Sequence, residues 1–156
     1  MAAASAGILM YRRRAGGIEL LLIHPGGPYW RNKDAGAWSL PKGEYGPDEG
    51  PEAAARREFF EELGTKADGP LTLLGEIRQK GGKRVTAFAL EGDLDPAAIR
   101  SISFEMEWPP RSGRICAFPE VDRAGWFTPA EAREKMLASQ LPLIDRLLDA
   151  LNAKPG

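Results

Sequence analysis

Gly43-Glu-Tyr-Gly-Pro-Asp-Glu49-Gly-Pro-Glu-Ala-Ala-Ala-Arg-Arg57-Glu58-Phe59-Phe-Glu61-Glu62-Leu-Gly64-Thr65 is the stretch on which the reading of this chain turns. From Pro51 to Leu63, the residues Ala53, Ala54, Ala55, Phe59, Phe60 and Leu63 recur among Arg and Glu at helical spacing, which predicts an α-helix. Pro51 suits the first turn, where its missing N–H costs nothing. Asp48, Glu49 or Gly50 can cap the start, and Gly64 can end the helix in the left-handed conformation. Ala54, Ala55 and Phe59, with Leu63 nearby, form the anchoring side. Glu58, Glu61 and Glu62 stand at i, i+3 and i+4, so three carboxylates crowd one face. Like charges so placed destabilise an isolated helix by about 0.2–0.5 kcal/mol per pair. A hard divalent cation converts that repulsion into ligation, and carboxylates without His or Cys favour Mg²⁺ or Mn²⁺. Arg57 stands beside the cluster and can pair with Glu49, tying loop to helix.

Outward from this segment the chain reads as strands and helices in mixed order. Ala6–Tyr11 and Ile18–His24, joined through Ala15-Gly16-Gly17, predict a hairpin. Pro25-Gly-Gly-Pro28 ends it, and a polar loop with Tyr29, Trp30, Arg31, Lys33 and Asp34 follows. Trp38-Ser-Leu40 is a short extended piece stopped by Pro41. Strands are expected at 71–78 and 84–90 around the Gly81-Gly82 turn, and a weaker one at 102–108. Residues 109–113 read as a loop, and Ala124–Phe127 as a short strand. Thr128-Pro-Ala-Glu131 then opens a helix with a Thr cap, Pro at the first position and Glu three residues on. Leu143, Ile144, Leu147, Leu148 and Leu151 mark a last amphipathic helix from about Pro142. No repeat or linker interrupts the chain. The expected fold is a single α/β domain over residues 1–156.

The 43–65 stretch resembles the signature of the Nudix hydrolase family: Gly43, Glu49, Arg57, Glu58, Phe59, Glu61, Glu62 and Gly64 fall in register with it. Thr65 stands where an aliphatic residue is usual, and Phe59 is bulkier than most, but both positions concern packing. Trp38-Ser-Leu-Pro-Lys-Gly43 before the box and Trp126-Phe127 near the end are also similar to family members. The resemblance implies an α/β/α sandwich around a mixed β-sheet. It also implies hydrolysis of a pyrophosphate bond in a nucleoside diphosphate linked to another moiety. Glu58, Glu61 and Glu62 would bind Mg²⁺ or Mn²⁺, with Arg57 completing the catalytic set. Gly43, Glu49 and Gly64 would be structural. Glu61 or Glu62 would be the general base, and the Lys42 carbonyl and Glu120 are candidates for further metal ligation. Glu105 and Glu107 are held in reserve, since alternation puts them on one strand face.

The Pro-Lys-Gly lead-in is similar to that of dinucleoside polyphosphate and diphosphoinositol polyphosphate hydrolases, while nucleoside triphosphates and nucleotide sugars are the rival substrates. A Nudix-fold binding module without turnover is the alternative of a different class, disfavoured because all the box glutamates are present. Tyr29, Trp30 and Trp38 are candidates to stack on a base; Arg31, Lys33, Lys42, Lys80, Lys83 and Arg84 are candidates to meet phosphates.

Composition narrows the rest. Twenty-one basic residues against 22 acidic ones leave a net charge of −1, so no global field draws in nucleic acid or an anionic membrane. One cysteine, Cys116, excludes an internal disulfide and is expected to be a small buried hydrophobe; one histidine, His24, excludes His-pair metal sites and is expected at a buried or strand-end position. No run of 18 apolar residues and no leader-like start are found, so a cytoplasmic protein acting on a small-molecule nucleotide or polyphosphate is expected. The sequence sets no oligomeric state.

Overall fold

A computed structural model describes residues 4–79 and 81–152 of the protein. Among the described residues there are eight strands: β1 (Ala4–Arg14), β2 (Gly17–Pro25), β3 (Lys42–Glu44), β4 (Thr72–Arg78), β5 (Arg84–Glu91), β6 (Ser103–Glu107), β7 (Ile115–Pro119) and β8 (Val121–Phe127). The helices are α1 (Pro51–Leu63), α2 (Pro129–Lys135) and α3 (Pro142–Asn152), with 3₁₀ turns at Pro96–Ala98 and Ala138–Gln140. Six strands form one mixed sheet in the order β4-β5-β1-β2-β8, with β3 added beside β1; β6 and β7 make a separate ribbon. β1 runs parallel to β5, and the other pairings are antiparallel.

β1 and β2 are apolar on both faces because both faces are covered. Ala6, Ile8, Met10, Leu21 and Ile23 pack with Ala54, Ala55, Phe59 and Leu63 of α1. Leu9, Tyr11, Leu20 and Leu22 pack with Ala132 and Met136 at α2 and with Leu143, Ile144 and Leu147 of α3. The result is the expected α/β/α sandwich. Among the described residues no helix is long and apolar enough to cross a membrane.

The sheet is not regular where it matters. β2 pairs with β1 only from Tyr11↔Leu20 to Arg14↔Gly17. Beyond that the two strands part, and residues 38–44 wedge between them: Ser39 exchanges both backbone bonds with Ile23, while residues 42–44 pair with residues 5–7 of β1. The wedge opens a cleft at the split and sets β3 at its edge.

Helix α1 has the expected limits. Gly50 is its N-cap without a side-chain bond, and Gly64 ends it at φ 76°. A Cβ on Gly64 would lie 2.8 Å from the Arg100 carbonyl oxygen. At α2 the Thr128 hydroxyl accepts from Glu131 N–H while the Glu131 carboxylate accepts from Thr128 N–H. Two expectations change. Ile115–Pro119, not anticipated, is a strand, because pairing with β6 outweighs its weak local pattern. Cys116 on it is only half-buried, opposite Met106, since the ribbon lies off the main core.

Candidate active site

Docking of α1 through Ala54, Ala55, Phe59 and Leu63 turns Glu58, Glu61 and Glu62 toward β3. Glu58 lies against Gly43 so closely that a Cβ there would be 2.0 Å from the Glu58 carboxyl carbon. Glu62 is 8% exposed and accepts a hydrogen bond from Lys42 N–H at 3.1 Å. Burial first, and then the neighbouring Glu58 charge, push its carboxyl up to about 8; the Lys42 contacts pull the other way. Burial also raises Glu58 and lowers the Lys42 ammonium below the ordinary lysine range.

Arg57 organises the mouth of the site. Its Nε and Nη2 donate to the two oxygens of Glu49 at 2.9 and 2.8 Å, a bidentate fork. Nη1 donates to Glu58 at 2.8 Å and to Glu61 at 2.7 Å. The pairing with Glu49 holds the guanidinium firmly charged and the Glu49 carboxyl below its usual range. The last turn of α1 is tethered as well. Arg100 N–H donates to the Leu63 carbonyl and Ile102 N–H to the Glu61 carbonyl, both at 2.9 Å, so these helix-end acceptors are satisfied. Glu120 N–H donates to the Ile102 carbonyl at 2.8 Å, and Gly26 N–H to the Glu120 carbonyl at 2.9 Å. The helix, the 100–102 segment, Glu120 and the start of the 26–37 loop are thus one hydrogen-bonded chain.

Two cavities meet here. One, of about 340 Å³, is lined by Glu44, Glu58, Glu61, Glu62 and Glu120 with Lys42, Gly43 and Ile102. The other, of about 210 Å³, shares Lys42, Glu62 and Glu120 and is walled by Ile23, Pro25, Trp30, Ala37, Ser39 and Leu137. The five carboxylates make an all-oxygen donor set that fits a hard divalent cation, with the Lys42 ammonium as the single positive charge beside them. Among the described residues no three His, Cys, Asp or Glu side chains are already gathered for a metal ion. Arg57 draws on Glu58 and Glu61, while Glu62 engages Lys42 N–H. A larger groove elsewhere, about 650 Å³, holds Arg12 already paired with Glu19 and Asp93 and stacked on Trp126.

Other candidate residues fall outside the two cavities. Trp38 is buried, edge-on to His24 and Phe127, with its N–H donated to Asp34, so it is core rather than a stacking platform. Tyr29 is exposed against Trp108. Arg31 is exposed and lines neither cavity. Lys33 lies over the Trp30 ring at 5.2 Å. Lys83 pairs with Glu44 at 3.4 Å on the rim, and Arg84 faces Glu76. Lys80 lies outside the described residues. Glu105 and Glu107 share the exposed ribbon face, away from the cavities. Glu107 accepts from the N–H groups of Arg111 and Gly113 at the ribbon tip. Glu44, Ile102 and Leu137 were not anticipated as cleft residues. Glu44 adjoins the box glycine on an extended piece, which is a local hint; Ile102 and Leu137 arrive through tertiary contacts alone.

A family-wide sequence profile of the NUDIX domain matches residues 1–147. The chain therefore belongs to the Nudix family, and it is a Nudix-type pyrophosphohydrolase. Among solved structures, a C. elegans Ap4A hydrolase in a binary complex is similar at TM-score 0.67 and 23% identity, over 96% of this chain and 99% of that one. The NUDIX domain of Shewanella oneidensis NrtR, complexed with ADP ribose, gives 0.68 and 17% identity over 97% and 89%. A MutT protein from Methanosarcina mazei gives 0.62 and 22% identity over 98% and 96%. No curated protein matches in sequence.

Proposed function

We propose that this protein hydrolyses a pyrophosphate bond in a nucleoside diphosphate linked to another moiety, with dinucleoside polyphosphates as the leading substrate class and Mg²⁺ or Mn²⁺ as the cation. The observation that carries this reading is the continuity of the two cavities. An apolar pocket with one aromatic wall, Trp30, opens through Lys42, Glu62 and Glu120 onto the carboxylate pocket. A base has somewhere to lie, and its phosphates lead to the glutamates. Lys42 is the only cation lining either cavity among the described residues, which favours the linear phosphate chain of a nucleotide over a densely charged inositol polyphosphate.

Glu58, Glu62 and Glu120, with the Lys42 carbonyl, would hold the cation. When bound, it supplies charge neutralisation at phosphorus and acidifies water. Of Glu61 and Glu62, Glu61, a third exposed and held at the mouth by Arg57, would accept the proton of attacking water as general base. Arg57 keeps Glu58 and Glu61 in fixed relation through one nitrogen, and Glu49 fixes Arg57 in turn. Lys42 faces the phosphate chain between the two pockets. Arg31 and Lys83 remain candidates for its outer end.

The test is product release from diadenosine polyphosphates, nucleoside triphosphates, nucleotide sugars including ADP-ribose, and a diphosphoinositol polyphosphate, with Mg²⁺ or Mn²⁺ and an EDTA control. Cation-dependent cleavage of a dinucleoside polyphosphate is expected. Preference for ADP-ribose would move the assignment to nucleotide sugars, and silence across the panel by folded, cation-loaded protein would favour a binding module.

A further inference from the structure

His24, near the end of β2, is fully buried between Ile23 and Pro25, which both line the apolar pocket. Each ring nitrogen meets an oxygen. Nδ1 is 2.8 Å from Asp122 Oδ1 on β8, and Nε2 is 2.5 Å from the carbonyl oxygen of Lys33 in the 26–37 loop. A carbonyl oxygen can only accept, so Nε2 carries a proton and donates it. The ring therefore joins β2, β8 and the loop, and nothing in the proposed reaction uses it.

This bond is the polar tie of the loop, beside apolar contacts of Trp30 with the core, Gly27 with Phe104 and Tyr29 with Trp108. Trp30 N–H donates to the Gly27 carbonyl and Lys33 N–H to the Trp30 carbonyl, two successive turns that carry the Trp30 ring into the pocket wall. Among the described residues, the bond from His24 is the only hydrogen bond from residues 27–33 to the rest of the protein. The next anchors lie beyond it, where Asp34 holds Lys135 and the Trp38 N–H, and Gly36 N–H donates to the Glu134 carbonyl.

We infer that His24 is a positioning residue: its Nε2–H fixes the turn that carries Trp30 and so sets the shape of the nucleoside pocket. The inference rests on the reading of that pocket given above. His24 touches no substrate. Its effect passes through the Lys33 carbonyl and the turn behind Trp30.

Two substitutions separate the two ends of the ring. His24→Gln keeps an amide N–H near the Nε2 position, toward Lys33; His24→Asn keeps one near Nδ1, toward Asp122. Amide hydrogen exchange on the full chain reads the loop directly. In His24→Asn the amides of Trp30 and Lys33 should exchange about tenfold faster, with the β1 and β5 amides unchanged, and His24→Gln should restore most of the protection. Equal behaviour of the two variants, or an unchanged loop, would overturn the assignment. If His24→Asn fails to fold, ¹⁵N shifts of the native ring decide the point, because the chain has one histidine. An unprotonated Nε2 would sink it. ADP with Mg²⁺ is the binding probe, and its affinity should fall about tenfold in His24→Asn. A loosened loop with unchanged ADP affinity would instead overturn the nucleoside reading of the pocket and leave the latch standing.

Discussion

The Glu58 carboxylate rests on the α-carbon of Gly43, where a side chain would sit 2.0 Å from the Glu58 carboxyl carbon. The box glycine is thus a space for the Glu58 carboxylate rather than a hinge. Gly43→Ala should push Glu58 aside and lower turnover on the order of 100-fold, since small misplacements at a reacting centre are that costly. Stability should change by less than about 1 kcal/mol, because the displaced atoms end a side chain and are not backbone. Turnover and thermal unfolding measured on one preparation check both halves.

Arg57→Lys should be far from conservative. A lysine keeps the charge but cannot make the fork to Glu49 while also reaching Glu58 and Glu61. Activity and cation affinity should each fall roughly 10–100-fold, as for other groups that orient ligands. Calorimetric titration with Mn²⁺ provides a readout independent of turnover.

Glu62 should make the cation-free protein less stable as pH rises. Its carboxyl titrates near 4.5 in the unfolded chain and is pushed up to about 8 in the fold. Between those values the folded state holds a proton that the unfolded state has released. Unfolding free energy therefore falls with rising pH, by at most about 1.4 kcal/mol per unit. Urea unfolding in EDTA from about pH 5 to about pH 8 should show this slope. Glu62→Gln should flatten it, and so should saturating Mg²⁺, which stabilises the charged form. A variant with the wild-type slope would remove Glu62 as its source.

Trp30 and Trp38 should part company. Trp30→Ala removes a pocket wall and should raise KM about tenfold with kcat nearly unchanged, in line with the ~1–3 kcal/mol of a stacked base. Trp38→Ala empties a buried site between His24 and Phe127 and should cost about 3–5 kcal/mol of stability. Steady-state kinetics and denaturant unfolding of the pair separate the roles.

These contrasts mark what the sequence carries and what it does not. Helix α1 was legible to the residue because Pro51, Gly64 and the apolar spacing are local signals, and its acidic face followed from periodicity alone. The capping box at Thr128 was legible for the same reason. The wedge of residues 38–44 between β1 and β2 was not, since strand splitting depends on partners far apart in the chain. For that reason Trp30 and Trp38 looked alike as candidates, although one faces the cleft and the other the core. Ile102 was out of reach too, because backbone bonds to Glu61 and Glu120, both distant in sequence, bring it to the site.

The β6–β7 ribbon enters and leaves the body at one place, where Glu120 N–H meets the Ile102 carbonyl. The strands between those residues pair with each other and take no part in the register of the six-stranded sheet. It touches the 26–37 loop through Phe104 at Gly27 and Trp108 at Tyr29. Exchanging the ribbon would therefore change what meets the 26–37 loop while leaving the carboxylate helix where it is.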